Sequence, residues 1–232
     1  MRFEKEREEV RRAGMKLDRY GLIALSGGNV SLRLSSGEIL VTPSGLIYED
    51  MVPEDVLVMT LEGKILEGER SPSVDTGALL YIFEKMPHIN AVIHTHQPAA
   101  TAVGLVAEEL PCCVTTLANA VKGAVKVCPF SSAASLDMGI QTVENAGEQL
   151  AVILKNHGVI ALGTSLKEAL YSCIYLEEGA KTYIYARSMS SQVVCLTPAQ
   201  TRQAVEVFKY YGQGKPPMPE GLTQTPGSSH RD

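Results

Sequence analysis

The sequence predicts an α/β fold, on three observations. Its 232 residues, 45% of them apolar, suit one domain with a sizeable core. Short apolar runs of strand type alternate with longer stretches of helical pattern. No internal repeat or linker interrupts them. Residues 1–212 therefore read as a single domain, and residues 213–232, rich in Gly, Pro, Ser and Thr, as a mobile C-terminal tail.

Residues 3 to 20 carry Val10, Met15 and Leu17 among charges and read as a helix, with Gly21 as its stop. Ser26-Gly27-Gly28-Asn29 follows, where two glycines let the backbone turn and offer N–H groups to an anion. Val30–Leu34 and Glu38–Val41 form a hairpin around Ser35-Ser36-Gly37. Thr42-Pro43-Ser44-Gly45 is a second small polar loop, and for either loop alone plain turn chemistry is a sufficient account. Val56–Met59 and Lys64–Glu67 make another hairpin around Glu62-Gly63. Ser71-Pro72 has the chemistry of a helix start, with Ser as cap and Pro in the first turn, for a helix reaching Lys85 with Asp75 in its first turn. After the strand at Ala91–Ile93, a helix is expected over Pro98–Ala107. Short strands and a short helix at Thr115–Lys122 come next, then mostly helix over Ser135–Leu150. Ser165-Leu166-Lys167-Glu168 and Thr197-Pro198-Ala199-Gln200 are capping boxes, opening helices to about Met189 and Tyr211.

Composition excludes several classes. No run of eighteen apolar residues can span a membrane. The N-terminus, Met1-Arg2-Phe3-Glu4-Lys5-Glu6-Arg7, is charged and lacks the apolar core of a signal peptide. A net charge of −5 with no basic cluster makes nucleic acid an unexpected partner. Cys112, Cys113, Cys128, Cys173 and Cys195 are odd in number and show no disulfide framework, as expected of reduced thiols in a cytoplasmic protein.

The chemistry centres on Ala91-Val92-Ile93-His94-Thr95-His96. Residues two apart on a strand share a face, so His94 and His96 can present two imidazoles to one metal ion. H-x-H alone is a weak signal, which half-exposed histidines at a strand end would satisfy as well. His157 strengthens it. It sits at a polar corner between the apolar runs Ala151–Leu154 and Val159–Leu162, and Gly158 after it permits a close backbone approach. Three imidazoles with an open position make a zinc site of catalytic type, and with no C-x-x-C a zinc finger is excluded.

Six motifs occur together and in order: Ser26-Gly27-Gly28-Asn29-Val30-Ser31, Thr42-Pro43-Ser44-Gly45, Pro72-Ser73-Val74-Asp75, His94-Thr95-His96, Asn156-His157-Gly158 and Tyr210-Tyr211-Gly212. As a set they resemble the class II aldolase/adducin head-domain family over residues 3 to 212. The resemblance implies a three-layer αβα fold with a central, largely antiparallel or mixed sheet flanked by helices. It also implies one Zn2+ per chain on His94, His96 and His157, and a substrate-phosphate cradle of Gly28, Asn29, Ser44, Gly45 and Ser73. Asp75 takes the place of the catalytic carboxylate and Tyr211 that of a catalytic tyrosine. A homotetramer with active sites near subunit boundaries is expected.

The activity so implied is that of a zinc-dependent aldolase. It would cleave a short ketose 1-phosphate of the L-fuculose-1-phosphate kind to dihydroxyacetone phosphate and an aldehyde, through a metal-stabilised enediolate. The alternative is an L-ribulose-5-phosphate 4-epimerase-like reaction, with a related decarboxylase or a non-enzymatic adducin-like module behind it. Asp75 matches the epimerase form, where aldolases have Glu. Asn119 falls where the epimerase has a catalytic Asp, and an amide cannot be that acid/base. Val74 replaces a second phosphate-binding Ser, which removes one hydrogen bond to a charged acceptor, about 1.5–3 kcal/mol. A tyrosine that the aldolases carry near Cys113–Thr115 is absent.

Overall fold

The computed structural model describes residues 1–223. Its elements in order are α1 (Glu4–Arg19), β1 (Asn29–Arg33), β2 (Ile39–Val41), β3 (Leu57–Met59), β4 (Ile65–Glu67), α2 (Thr76–Lys85), β5 (Ala91–Thr95) and α3 (Pro98–Val106). Then come β6 (Glu109–Leu110), α4 (Thr115–Val121), β7 (Val125–Cys128), α5 (Asp137–Ala146), β8 (Ala151–Leu154), β9 (Gly158–Gly163), α6 (Leu166–Met189) and α7 (Pro198–Phe208). The strands form one sheet in the order β4-β3-β2-β1-β5-β9-β8-β7-β6. All neighbours are antiparallel except β7 and β8, so the sheet is mixed, as expected.

Strand alternation sorts the apolar side chains into layers. Val92, Val152, Leu154, Ile160 and Leu162 face one side, where Leu79, Phe83 and Met138 of α2 and α5 cover them. Ala91, Ile93 and Ala161 face the other, against Val10 and Leu17 of α1 and Leu170 and Cys173 of α6. Ala151, Ile153 and Val159 continue that second face under Val103 of α3, Leu117 of α4 and Leu176 of α6. The result is the αβα sandwich, with β5 and β9 buried on both faces. Among the described residues, no helix is long and apolar enough to cross a membrane.

Both expected hairpins form, β1–β2 and β3–β4. The helix expected from Pro72 does not begin there. Ser44 N–H donates to the Ser71 carbonyl and Ser73 N–H to the Thr42 carbonyl, so residues 71–73 lie extended against the 42–44 loop. Long-range pairing overrides the local cap chemistry, and α2 starts at Thr76 with Asp75 at its N-cap position. Helix α5 stops at Ala146, where Gly147 adopts a positive φ, rather than at Leu150. Helix α7 has its full capping box but ends at Phe208, and Tyr211 follows in a turn whose N–H reaches the Phe208 carbonyl. In the Ser165 box, Ser165 Oγ accepts from Glu168 N–H as expected, whereas the Glu168 carboxylate accepts from Thr164. In the tail, Gln203 Nε2 donates to the Leu222 carbonyl at 2.8 Å, and residues 224–232 lie outside the described part.

One brace was not foreseen. Glu177 on α6 is 3% exposed, and its carboxylate accepts from the N–H groups of Ala99 and Ala100 at 3.1 Å. A carboxylate from one helix thereby satisfies the orphan donors at the start of another.

Helices α5 and α2 meet closely, and a Cβ on Gly139 would lie 2.6 Å from the Ala78 carbonyl oxygen. Gly139→Ala forces these backbones apart. The expected cost is about 1–3 kcal/mol, typical of overpacking, seen as a lower denaturation midpoint in urea with an unchanged slope.

Candidate metal centre and active-site cleft

β5 carries the first imidazole. His94 lies opposite Asn29 of β1 and Ile160 of β9, and its side chain is 1% exposed. Its Nδ1–H donates to the Val159 carbonyl at 2.9 Å, which fixes the tautomer and leaves Nε2 as a bare lone pair. His96 stands one step past the strand end. Gln97 behind it is fully buried, accepting from Thr95 Oγ1 and donating to the Cys173 carbonyl. His96 Nε2 lies 3.0 Å from His94 Nε2.

The third imidazole comes from the β8–β9 turn. His157 N–H returns to the Leu154 carbonyl, and Asn156 takes φ 58, a left-handed conformation that Asn tolerates better than most residues. The His157 ring centroid is 4.8 Å from that of His94 and 5.4 Å from that of His96. Gly158 makes the approach possible, since a Cβ there would meet the Thr95 carbonyl oxygen at 2.2 Å. One ligand atom from each histidine falls within 4.8 Å of the others.

Burial pushes His94 down to about 4, and the neighbouring His96 and His157 act in the same direction while Asp75 opposes them. Burial also lowers His96 and His157. The group thus presents neutral imidazoles at neutral pH, the protonation state a metal requires. Two ring nitrogens facing each other at 3.0 Å suit a shared cation, and with His157 the donor set fits a divalent ion of zinc type.

Beside the imidazoles, Asp75 is 6% exposed and held on both oxygens. Its Oδ2 accepts from Asn29 Nδ2 at 2.9 Å and its Oδ1 from Ala134 N–H at 3.0 Å. Asn29 Nδ2 also reaches Ser73 Oγ at 3.1 Å. Ala134 makes its bond from φ 60, and Leu25, ahead of the glycine loop, sits at φ 54. Non-glycine residues in this region cost about 1–3 kcal/mol each and concentrate at functional sites.

These groups share a cleft of about 170 Å³, lined by Ser26, Gly27, Gly28, Pro43, Ser44, Gly45, Ser73, Val74, Asp75, His94, His96, Ala133 and His157. Of the expected cradle, Gly28, Ser44, Gly45 and Ser73 are at the wall. Gly28, at φ 74, lies so close to β5 that a Cβ would touch the His94 carbonyl oxygen at 2.5 Å. Asn29 is not at the wall; it is buried behind it, with its amide turned to Ser73 and Asp75. Tyr211 is 71% exposed, stacked on Phe208 and away from this wall, and Asn119 on α4 also lies off it. Ala133 and Ala134 escaped the sequence reading, because alanines carry no chemical signal and contribute here only shape and a backbone N–H. A larger cleft of about 620 Å³ lies among Met1, Arg7, Asp55, Glu67 and Arg70. Its arginines are already paired, Arg7 with Glu67 and Arg70 with Asp55, and it holds no imidazole, so the chemistry belongs to the smaller cleft.

Residues 8–184 match the family described as Class II Aldolase and Adducin N-terminal domain. The 5-deoxy-D-ribulose 1-phosphate aldolase of Bacillus thuringiensis serovar kurstaki is 32% identical over 214 residues, 92% of this chain and 100% of that protein. An L-fuculose 1-phosphate aldolase structure superposes with a TM-score of 0.83 at 28% identity, covering 88% of this chain and 96% of the other. The L-fuculose-1-phosphate aldolase of Thermus thermophilus gives 0.70 at 28% identity, over 81% and 96%. The chain belongs to the class II aldolase and adducin N-terminal domain family. Within it, the likeness to aldolases along nearly the whole length makes it a lyase of the class II aldolase type.

Because Gly158 backs against Thr95 and His96, Gly158→Ala displaces an imidazole as well as backbone. Metal affinity, measured by titration with Zn2+ against a chromogenic chelator, is expected to fall about 10- to 100-fold, as when a group orienting a ligand is lost. Unchanged affinity would detach Gly158 from the metal centre.

Proposed function

We propose that this aldolase cleaves a short ketose 1-phosphate to dihydroxyacetone phosphate and an aldehyde, with one zinc-type cation on His94, His96 and His157. The observation that carries the reading is the single cleft that joins three neutral imidazoles, a restrained carboxylate and two loops of small residues. Its similarity to aldolases named for 5-deoxy-D-ribulose 1-phosphate and L-fuculose 1-phosphate, both ketose 1-phosphates, supports the substrate class. A bound cation supplies Lewis acidity, drawing electrons from the carbonyl and hydroxyl oxygens of the ketose.

The chain's own groups do the rest. Gly28 and Gly45 offer N–H groups and Ser44 and Ser73 offer hydroxyls to the phosphate, and Asn29 holds Ser73 in place from behind. Anchoring the phosphate sets the distance along the sugar to C4. Asp75 takes the proton of the C4 hydroxyl as the C3–C4 bond breaks. The donors Asn29 and Ala134 occupy one lone pair on each of its oxygens and aim the carboxylate, leaving the others for substrate. Asp75 stands outside the three-imidazole group, which favours base over ligand. Tyr211 handles the aldehyde end from a neighbouring subunit of a cytoplasmic homotetramer. Its distance from its own cleft supports this, as does the size of that cleft, about 170 Å³ where whole ligand pockets run to about 300–1,000 Å³.

The test is product analysis with Zn2+-reconstituted protein and the two named ketose 1-phosphates. Dihydroxyacetone phosphate should appear in a coupled assay and cease with a chelator. A single ketose inverted at C4, with no fragments, would replace the aldolase by a 4-epimerase. Asp75→Asn should lower turnover about 100- to 10,000-fold at unchanged metal content. If it turns over like wild type, Asp75 is not the base. Light scattering should give four chains, and a fully active monomer would remove Tyr211 from the site.

A further inference from the structure

The least anchored helix is α7: none of its residues is fully buried, although it packs on α4. Its approach, residues 190–197, runs beside the segment 111–114 that leads into α4. Leu196 N–H donates to the Cys112 carbonyl at 2.9 Å, which sets the two segments in register. The next contact is between sulfurs. Cys113 Sγ and Cys195 Sγ lie 2.8 Å apart, 82 residues apart in sequence, and both residues are only half-buried. Cys128 and Cys173, by contrast, are enclosed in the core.

We propose that Cys113 and Cys195 are a redox pair, closing to a disulfide in the presence of a small-molecule disulfide such as glutathione disulfide and so locking α7 onto α4. One cysteine, as thiolate, attacks the small disulfide and expels one glutathione thiolate. The second cysteine, as thiolate, then attacks the protein sulfur of the mixed disulfide and expels the other glutathione. Two protein S–H bonds and one S–S bond are lost, one protein S–S bond is made, and the two protons finish on two glutathione thiols. The bonded distance is about 2.04 Å, so the sulfurs need to approach by less than about 1 Å. Burial, together with the Cys195 sulfur, pushes Cys113 up to about 12, so it rests as a thiol at neutral pH and the exchange through its thiolate is slow. Closure staples a loop of more than eighty residues, which restricts the unfolded chain far more than the folded one. It turns the weak docking of α7, the helix leading to Tyr211, into a covalent one.

The test uses the full-length, metal-loaded protein treated with glutathione disulfide and then digested with trypsin after alkylation. Wild type and Cys112→Ser should lose about 2 Da and yield one linked species joining the Cys113 and Cys195 peptides, with a melting temperature several degrees higher that dithiothreitol reverses. Cys113→Ala and Cys195→Ala should give neither the link nor the shift. Cys112→Ser separates the intended pair from its neighbour even if one alanine variant folds poorly. Glutathione adducts without the link, a link through Cys112, or no reaction in the native protein would each overturn the pairing.

Discussion

Everything at the cleft depends on the antiparallel register of β1, β5 and β9, in which Asn29, His94 and Ile160 lie side by side. A slip of one residue would turn His94 to the opposite face of the sheet and bury it against α1 and α6. The register is protected by the two apolar faces, since the same slip would interchange Val92 with Ile93 between two cores. It is also protected at the strand end. Gly28 and Gly158 flank β5 from its two neighbours, each so close to a carbonyl oxygen of β5 that no other side chain fits. The group of three imidazoles is therefore assembled by sheet packing, with its spacing set by β5 and the β8–β9 turn.

The carboxylate is organised differently, by a network of polar contacts. Asn29 reaches from β1 to Ser73 and Asp75, and the loop before α5 contributes the Ala134 N–H. Two distant parts of the chain thus converge on one acid. A buried carboxylate without such donors would be costly, so the contacts that aim Asp75 also make its burial tolerable.

Much of this was legible in the sequence. His94 and His96 declared themselves through period-two spacing on an apolar run, and His157 through a polar corner followed by Gly. The hairpins and the caps at Ser165 and Thr197 were readable because turn and capping chemistry is local. What was not readable depends on distant pairing. Ser71-Pro72 has every local mark of a helix start, yet strand-like bonds to residues 42–44 hold it extended. Asn29 looked like part of an anion loop, but the strand register turns its amide toward a residue forty-six positions away. Ala133 and Ala134 act through backbone and shape, which no residue type announces.

Glu177 gives the site its mechanical character. Its carboxylate, from the middle of α6, ties down the first turn of α3, and that turn begins two residues after His96. Peeling α3 away would break the bonds to both N–H groups and leave the carboxylate only its ion pair with Lys181, so the segment carrying His96 has no inexpensive local opening. Its amide protons should exchange with solvent only through large-scale unfolding, at the rate of the central strands. An enzyme built this way keeps the His96 side of its imidazole group rigid through each turnover.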